Sequence, residues 1–560
     1  MTFPEIFEVL LEERGLVGDS REEFLHPDYG KLHHPLLLPD MEKARDKVIE
    51  VMGRNEHIVV FSDYDADGIP GAVVLSDFFH RAKYENVSFY IPHRHDEGFG
   101  LNMEAVDEMA ERGAKLIITV DCGTADIKEV AKANKKGMEV IITDHHESSK
   151  LPKAYAIVNP KRKDSTYPFN PPAGGLCGAA LAYKLVQAIL MKEESASWRI
   201  GIKTGQEKWS LDMVGIATLS DMVPLVGENR ILAKFGLDVL RKSPRPGLSA
   251  LFNKLKIEQR FLTEDDVTFM ITPRINAASR MGKPEDAFKL LSTTNMLEAV
   301  RLAEHLEKIN NERKGTVAAL VKEAKKHLEA REKINSVIVV GNPEWRPSLL
   351  GLVANSLVEE YMRPAFVWGR DGDNVLKGSC RSYNGYNLFD LMNGAKDSFL
   401  EFGGHAGAGG FSVTLEQITK LEEKLSEMVG KHSVSKDAQT PSVEETTKKI
   451  QISLSDIGED LWKTVEQFAP FGMGNQKPIF NIKNAEIKQV RQFGKENNHL
   501  EIVFKSGAKD IKAISFFSSP TSYSFLPTPG ISCTLTACLE KSYFRNRPEV
   551  RLRIVDIIEQ

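Results

Sequence analysis

The fold of this chain is decided by three apolar runs, HIVVFSDYDADG (57–68), KLIITVDCG (115–123) and EVIITDHHE (139–147). Their cores of Ile, Val, Leu and Phe are typical of strands buried on both faces of a parallel sheet. Each run ends in acidic or imidazole side chains, namely Asp63, Asp65, Asp67, Asp121, Asp144, His145 and His146. Because the carboxyl ends of neighbouring parallel strands open on one crevice, we expect these side chains to lie together.

Carboxylates gathered in a buried crevice repel each other and resist desolvation unless positive charge is present. Oxygen ligands with one or two imidazoles suit Mn²⁺ or Mg²⁺, whereas thiolates would favour zinc. A single Asp after a strand is usually a turn or cap residue, but three such strand ends together favour metal binding. Asp121, on the central run, can bridge two ions about 3.5–4 Å apart. The sequence therefore predicts a two-metal site that hydrolyses a phosphate ester.

Composition limits the class of protein. The chain has 560 residues, too many for one ordinary core, with 42% hydrophobic and 27% charged residues. Its N-terminus, MTFPEIFEVLLEERG, is acidic where a signal peptide is basic, and no apolar run is long enough for a bilayer. We therefore expect a cytoplasmic protein without a membrane segment. The net charge of −5 excludes a histone-like binder but permits one basic channel.

The pattern of elements predicts an α/β protein of several domains. Alternating strand and helix signals before residue 230 favour a doubly wound parallel sheet, and residues 284–332 look helical throughout. A second α/β unit follows, then a polar linker, then short strands typical of an OB-like β-barrel. The predicted boundaries are 1–230 for the N-terminal segment and the parallel-sheet domain, 231–332 for a helical region with a long connecting helix, 333–430 for the second unit, 431–448 for the linker and 449–560 for the barrel.

Four motifs, DYDADG, VDCG, DHH and LSDMVPL, occur in this order and resemble those of the DHH phosphoesterases. Five longer stretches resemble the branch of that superfamily that degrades single-stranded nucleic acid from one end. They are FLHPDYGKLHHPLLLPDMEKA, PRINAASRMGKPEDA, GSCRS, FGGHAGAGGF and PFGMGNQKPIF. The second α/β unit then corresponds to the DHH-associated domain of the family.

The resemblance implies two metal sites that share Asp121. The first would be formed by Asp63, Asp65 and Asp121, and the second by Asp67, Asp121, His145 and Asp221. His146 would contact the scissile phosphate, while Asp144 would orient the imidazoles. Phe61 occupies the position at which many family members have a histidine, which leaves the ligands of the first site open.

The resemblance also implies substrate contacts, namely Arg274, Asn276, Arg280, Ser379, Arg381, Ser382, Gly404 and His405. Asn276 could equally be a turn or cap residue, and the glycines around His405 could form a packing turn instead of a phosphate site. The barrel segment KSYFRNRPEVRLR provides candidates for binding nucleic acid, namely Lys541, Tyr543, Phe544, Arg545 and Arg547. An ordinary strand pair with solvated charges explains any single one of them equally well.

The function implied by the resemblance is a 5′→3′ exonuclease that acts on single-stranded DNA and releases 5′-mononucleotides. It would be a monomer that serves recombination and repair together with a helicase and a single-strand-binding protein. Two alternatives stay open at this point. One is an oligoribonuclease or small-nucleotide phosphatase of the same superfamily, and the other is a non-catalytic replication scaffold.

Overall fold

The structure of the protein is a computed structural model. It describes residues 2–170, 174–192, 202, 205–370, 375–404, 406–431, 450–494, 497–507, 509–516, 523, 525–543 and 548–559. In these ranges, no helix combines the length and the apolar character needed to cross a membrane.

The first domain contains a five-stranded parallel sheet in the order β2-β1-β3-β4-β5. Its strands are β1 Ile58–Ser62, β2 Val87–Tyr90, β3 Leu116–Val120, β4 Glu139–Thr143 and β5 Ala156–Val158. Alternate residues of these strands face two separate apolar cores, one on each side of the sheet. Because the chain order reverses between β1 and β3, their carboxyl ends flank the switch point at which α/β sheets bind ligands.

The helices up to residue 329 cover this sheet and continue beyond it. They are α1 Phe3–Glu13, α2 Asp19–Leu25, α3 Met41–Gly53, α4 Gly68–Arg81, α5 Met103–Glu111, α6 Ile127–Lys135, α7 Gly178–Met191, α8 Leu211–Ser220, α9 Gly227–Leu240, α10 Pro246–Leu255, α11 Thr272–Met281, α12 Glu285–Ser292 and α13 Met296–Glu329. Helices α3, α4 and α7 pack on one face of the sheet, and α5 and α6 pack on the other.

Helix α13 is the predicted long connecting helix. Its first half packs in the core of the sheet domain through Leu302 and Leu306, and its last turns pack in the next domain through Ala324 and Leu328. The expectation of a continuous helix over 284–332 is wrong in one respect, because the helix is interrupted between α12 and α13. The side chain of Asn295 accepts hydrogen bonds from the first backbone N–H groups of α13 and so fixes where that helix begins.

The second α/β unit has a mixed sheet in the order β6-β7-β8-β10-β9. Its strands are β6 Ile338–Gly341, β7 Ala365–Arg370, β8 Leu376–Arg381, β9 Glu401–Gly404 and β10 Ala408–Val413, and its helices are α14 Pro347–Tyr361, α15 Leu388–Gly394 and α16 Leu415–Lys431. Helix α14 lies over β7 and β8. This packing brings the start of α14 and the end of β8 toward the first domain, as shown below.

The third unit is a closed barrel. Its elements are β11 Ile450–Ile452, α17 Glu459–Glu466, β12 Phe480–Phe493, β13 His499–Phe504, β14 Ile511–Phe516, β15 Ser532–Ser542 and β16 Glu549–Glu559. The strands follow the order β12-β13-β14-β16-β15, and pairing of β12 with β15 closes the ring. The expected OB-like barrel is therefore confirmed.

Helices α1 and α2 pack on the barrel and not on the parallel sheet, although the predicted boundaries grouped them with that sheet. Ile6, Leu10 and Phe24 belong to the apolar core of the barrel. Arg230, buried in the first domain, donates hydrogen bonds to the carbonyl groups of Phe24 and of residues 468–470. One guanidinium group thus joins the N-terminal segment, the first domain and the start of the barrel.

Candidate active site

Backbone pairing continues one residue past the ends of β1, β3 and β4 and sets three acids side by side. The N–H of Asp63 donates to the carbonyl of Val120 at 3.0 Å, and the N–H of Asp121 donates to that of Thr143 at 2.9 Å. Asp144 follows β4 directly in the same way. The three acids therefore occupy equivalent positions on neighbouring strands, as the sequence predicts.

Two glycines allow the chain to come close to these acids. A Cβ on Gly68 would lie 2.4 Å from the carbonyl oxygen of Asp63, so the tight turn of DYDADG requires glycine there. A Cβ on Gly178 would lie 2.5 Å from the Cβ of Asp121. Glycine at this position lets the N-terminus of α7 reach the acid cluster.

Asp67 is held by the N-terminus of α7. Its carboxylate accepts the N–H of Gly178 at 2.6 Å and that of Ala179 at 2.8 Å, which suits the positive end of the helix dipole. Even so, burial and the nearby charge of Asp65 raise the pKa of Asp67 to about 6. A bound cation would lower this pKa again and so favour the ionised carboxylate.

The structure brings the predicted ligands together in three overlapping groups. Within each group, the possible ligand atoms lie within 4.8 Å of one another. The groups are Asp63, Asp65 and Asp121; Asp67, His145 and Asp221; and Asp121, His145 and His146. Asp121 belongs to two of these groups. It follows β3, which lies between β1 and β4 in the sheet, so it has the position expected of a bridging ligand.

His145 lies at the centre of the second group. Its Nε2 is 3.1 Å from Asp121 Oδ1 and 3.7 Å from a carboxylate oxygen of both Asp67 and Asp221. Three carboxylates converging on one ring nitrogen form a ready coordination shell for a divalent cation. Asp221 enters the group from the C-terminal end of α8.

Within the described ranges, two carboxylate oxygens of the cluster lack a hydrogen-bond donor. Asp63 Oδ1 and Asp121 Oδ1 are buried and make no hydrogen bond among the residues that the structure describes. Burial and then neighbouring carboxylates raise the pKa of Asp63, Asp121 and Asp221 well above the usual range. Orphaned hard oxygen atoms beside an imidazole fit Mn²⁺ or Mg²⁺, and bound cations would restore the charge balance.

Asp144 holds His146 and does not join these groups. One of its oxygens accepts hydrogen bonds from the N–H groups of His145 and His146 and, at 2.8 Å, from the ring Nδ1 of His146; the other accepts the N–H of Thr124. Burial opposes protonation of His146, but the bond to Asp144 and its charge raise the pKa of His146 to about 9. The ring is thus fixed with Nε2 free of Asp144 and is cationic at neutral pH in the absence of metal.

Four guanidinium groups, those of Arg94, Arg280, Arg313 and Arg381, gather beside the acid cluster. Burial and then the positive charges of Arg94, Arg313 and Arg381 lower the pKa of Arg280 to about 9, while the Asp65 carboxylate opposes that shift. Among the described residues, no carboxylate lies within ion-pair distance of any of the four. Half-buried cations without a carboxylate partner next to a metal site favour a phosphate ligand.

Arg280 also joins the two α/β units. Its guanidinium donates to the carbonyl of Ser348 at 2.7 Å, and the Ser348 hydroxyl donates to the carbonyl of Arg280 at 3.1 Å. On the far side of the contact, Arg381 lies against Gly351 of α14, where a Cβ would come 2.8 Å from its Nη2. The arginines from both units therefore face one cleft.

Sequence reasoning named Arg280 and Arg381 but missed Arg94 and Arg313. Arg94 follows β2 and so lies at the same sheet edge as the acids, which the strand-end argument could have detected. Its guanidinium lies 4.9 Å from the ring centroid of Tyr64 in DYDADG. Arg313 lies within the long helix α13, where no local signal separates it from the other basic residues.

Two phenylalanines shape the surroundings of the cluster. Phe61 is fully buried and stacks on Tyr90 at 5.4 Å between ring centroids, within the core beneath α5 and α6. The first group of acids thus receives no imidazole from this position. Phe99, missed by the sequence reasoning, is exposed and meets the His146 ring edge-on at 5.4 Å.

Two other residues predicted to contact substrate act within the protein. Arg274 is only 3% exposed, pairs with Glu307 at 2.8 Å and donates to the carbonyl of Met270. The side chain of Asn276 accepts the N–H of Ala66 at 2.9 Å, so it supports the DYDADG loop. This geometry argues against a direct substrate contact for Arg274.

The second unit places the remaining candidates around Arg381. Ser379 lies two residues before it on β8 and so shares its face of the sheet. The Ser382 hydroxyl donates to the carbonyl of Tyr386. Gly404 has a positive φ and no room for a Cβ beside Ala408, which supports the packing-turn interpretation of the glycine run at that residue. His405 lies outside the described residues.

The predicted surface at the tip of β15 and β16 is engaged within the protein where the structure describes it. Lys541 pairs with Glu459 at 2.8 Å. The Tyr543 ring stacks on Phe261 of the catalytic domain at 4.1 Å and 7°. Phe544, Arg545 and Arg547 lie outside the described residues. Tyr543 therefore docks the barrel on the catalytic domain in this structure and does not present a free stacking face.

A parallel sheet whose strand ends gather acids and imidazoles, beside a cleft of unpaired arginines, defines a metal-dependent phosphoesterase of the DHH type. Three family models match the chain: the N-terminal domain of the DHH family over residues 57–216, the DHHA1 domain over 333–431 and the RecJ OB domain over 449–556. The chain belongs to the RecJ family of exonucleases.

The chain is 32% identical to the single-stranded-DNA-specific exonuclease RecJ of Bacillus subtilis, over 98% of this chain and 68% of that protein. It is 32% identical to the enzyme of the same name from Escherichia coli K12, over 70% of this chain and 69% of that protein. A crystal structure of RecJ with Mn²⁺ from Thermus thermophilus is similar over 100% of this chain and 78% of that one, with 25% identity and a TM-score of 0.78.

A crystal structure of the exonuclease RecJ bound to manganese is similar over 71% of this chain and 96% of that chain, with 30% identity and a TM-score of 0.59. Homologous structures thus contain the metal that the oxygen-rich ligand set of this chain predicts. The prediction of Mn²⁺ or Mg²⁺ as cofactor is confirmed in this sense.

Proposed function

We propose that this protein is a single-stranded-DNA-specific 5′→3′ exonuclease that hydrolyses phosphodiester bonds and releases 5′-mononucleotides. One observation carries the proposal: buried carboxylates with orphaned oxygens and four unpaired guanidinium groups meet in one cleft. The first set suits metal ions, and the second suits a phosphate-rich substrate. The choice of DNA and of a single strand is supported by the printed names of the relatives, and the polarity by family resemblance.

We assign the metal ligands as the sequence suggests. Asp63, Asp65 and Asp121 would hold one ion, and Asp67, Asp121, His145 and Asp221 would hold the other. Two divalent cations would supply Lewis-acid stabilisation of the phosphate and an activated water. The α7 N-terminus fixes Asp67 before any ion binds, so little reorganisation of that carboxylate accompanies loading.

His146 and the arginines would act on the phosphate itself. With Nδ1 bound to Asp144, His146 presents Nε2 as a hydrogen-bond donor to a phosphate oxygen. Arg280 and Arg381 contribute planar guanidinium groups from the two α/β units. Each would bind phosphate oxygens through a pair of hydrogen bonds. Substrate binding would therefore tie the two units together across the cleft.

The domain boundaries at 230, 332, 430 and 448 stay proposals, as do the biological assignments. We propose a monomer that acts in the cytoplasm, with a helicase to open duplexes and a single-strand-binding protein to present the strand. Co-purification and analytical ultracentrifugation would test these assignments directly.

End-labelled single-stranded DNA and RNA test the proposed activity. Each strand carries the label at one terminus and is incubated with Mn²⁺ or Mg²⁺. The proposal expects label at the 5′ end to appear at once as mononucleotide, while 3′-labelled DNA shortens step by step. Intact long DNA alongside cleaved dinucleotides would instead identify a small-nucleotide phosphodiesterase, and no cleavage of either would identify a scaffold.

A further inference from the structure

Helix α13 pairs two neighbouring arginines with side chains of different charge. Arg274 of α11 donates from its Nε to a carboxylate oxygen of Glu307 at 2.8 Å. Arg313 of α13 instead donates from its Nε and Nη2 to the amide oxygen of Asn310, at 3.3 Å and 3.0 Å. Glu307 and Asn310 are three residues apart and therefore lie on neighbouring turns of one helix face. One arginine thus has an anionic partner, and the other has a neutral one.

Asn310 is completely buried although it is polar. The two donors of Arg313 fix which atom of its amide group is the oxygen. The amide Nδ2 makes no hydrogen bond among the residues that the structure describes, and a buried donor without an acceptor costs free energy. An aspartate has nearly the same shape, has no such donor and attracts a guanidinium group more strongly. Support of Arg313 alone would therefore favour a carboxylate at this position over the amide.

The neutral partner leaves the charge of Arg313 uncancelled. Arg313 is half-buried, and no carboxylate of the described residues lies within ion-pair distance of it. Burial and then the positive charge of Arg274 lower the pKa of Arg313, and the charge of Arg313 contributes in turn to the lowered pKa of Arg280. Arg280 and Arg313 are therefore close enough to repel each other. A phosphate group bound beside them would relieve that repulsion.

Resting on the proposed function, we infer that Asn310 is a positioning residue for a substrate contact of Arg313. Its amide oxygen holds Nε and Nη2 of the guanidinium group, so that Nη1 remains as a donor to a phosphate oxygen of the bound strand. Because the amide carries no charge, it does not weaken the attraction between Arg313 and a phosphate group. Glu307 has the opposite effect on Arg274, whose charge it cancels. The choice between amide and carboxylate on α13 thus separates a substrate-binding arginine from a structural one.

The test measures binding of a 5′-phosphorylated single-stranded DNA in Ca²⁺ to the wild type, Asn310→Asp and Arg313→Ala. Asn310→Asp keeps the shape and the acceptor of the side chain but cancels the charge of Arg313. We therefore expect Kd to rise about 5- to 30-fold and the slope of log K against log salt to fall by about 1. Arg313→Ala should produce the same two changes.

Asn310→Ala separates support from charge. This variant removes the acceptor and leaves the charge of Arg313, so Kd should rise about 3- to 10-fold with the salt slope unchanged. Combining Asn310→Ala with Arg313→Ala should add nothing to the effect of Arg313→Ala, because Asn310 acts through that guanidinium group. The same comparison decides the inference if Asn310→Asp does not fold.

Asn311→Asp places the same charge at the next, exposed position of α13 and is the control, for which Kd should stay within about twofold. With Mn²⁺, Asn310→Asp should raise KM and leave kcat within about threefold, whereas a loosened fold would lower kcat and the free energy of unfolding together. A wild-type Kd and slope in Asn310→Asp, or additive losses when Asn310→Ala is combined with Arg313→Ala, would overturn the inference. A wild type that binds the strand but does not degrade it would refute the proposed function alone, and the Kd values would still decide the role of Asn310.

Discussion

The Nδ1 of His146 donates to Asp144 Oδ1 at 2.8 Å, and this bond decides what the adjacent histidine pair can do. His145 turns its Nε2 toward three carboxylates, whereas the Nδ1 of His146 is held by Asp144. Two neighbouring residues of one type therefore have different environments, one suited to a metal ion and the other to a phosphate.

Asp144→Asn should remove the negative charge that holds the His146 ring through its Nδ1. Loss of the carboxylate charge should return the pKa of His146 from about 9 toward its ordinary range. We expect kcat to fall about 10- to 100-fold with little change in metal affinity. Steady-state kinetics, metal titration and an NMR titration of His146 in the metal-free protein measure the three effects. An unchanged kcat would show that His146 needs no such support.

Arg280→Ala should weaken substrate binding more than chemistry. The variant removes one of four mutually repelling cations at the cleft, so the protein should fold, and KM for single-stranded DNA should rise about tenfold or more. The slope of log K against log salt should fall by about 1. Arg301→Ala, an exposed position on α13, provides the matched control. Equal effects of the two variants would contradict a specific phosphate contact.

Arg230→Met should loosen the attachment of the N-terminal segment. The substitution removes the donor from the carbonyl groups of Phe24 and Ala469, whereas those of Phe468 and Pro470 keep a hydrogen bond from Asn475. We expect a cost of about 3–5 kcal/mol in the free energy of unfolding. Denaturant unfolding measures the loss, and limited proteolysis should cut between α2 and α3 first. A loss no larger than that of Arg241→Ala, which has fewer backbone acceptors, would argue against this role.

The acid cluster should make the metal-free protein more stable at moderately low pH. The pKa of Asp67 is raised to about 6 in the folded state from about 4 when unfolded, so folding takes up protons between these values. The contribution is present below pH 4 and is lost as pH rises to 6. Relative to Asp67→Asn, chelated wild type should gain about 1 kcal/mol from pH 7 to pH 5.

Added Mn²⁺ should reverse that trend, because metal ligands must be deprotonated. Thermal melts of the two proteins at several pH values, with chelator and with Mn²⁺, give the comparison. A chelated wild type that follows Asp67→Asn over the whole window would show that the carboxylate carries no raised pKa.

The order of the domains and the cluster of acids and imidazoles could be predicted from the sequence. The reason is that the carboxyl ends of neighbouring parallel strands lie at the same edge of a sheet. The direction in which residues on helices face was harder to predict. Arg274 and Arg280 both lie on α11, six residues apart, and therefore about 240° apart around the helix. Their spacing shows that they face different ways but not which one faces the cleft. That depends on the docking of α13 and α14, through Glu307 for Arg274 and Ser348 for Arg280.

The barrel shows the same limit. Alternating strands predicted its closure, but the choice of binding face depends on how it docks. Tyr543 stacks on Phe261 of the catalytic domain, and the Arg553 guanidinium lies near the rings of Phe269 and Phe516. Composition favoured the segment around Tyr543 as the surface that binds nucleic acid, because it has the most basic residues. The sequence does not show that another domain covers the Tyr543 ring.

The central claim is that two divalent cations share Asp121, and metal stoichiometry tests it most directly. Calorimetric titration of chelated protein with Mn²⁺ at pH 7.5 should show two ions per chain for the wild type. Asp121→Asn should bind fewer ions and lose about 100- to 1,000-fold or more in kcat. Asp126→Asn changes a half-buried acid that accepts the N–H of Leu101 and lies outside the metal groups, and this variant should retain both ions. Two ions and full activity in Asp121→Asn would contradict the account.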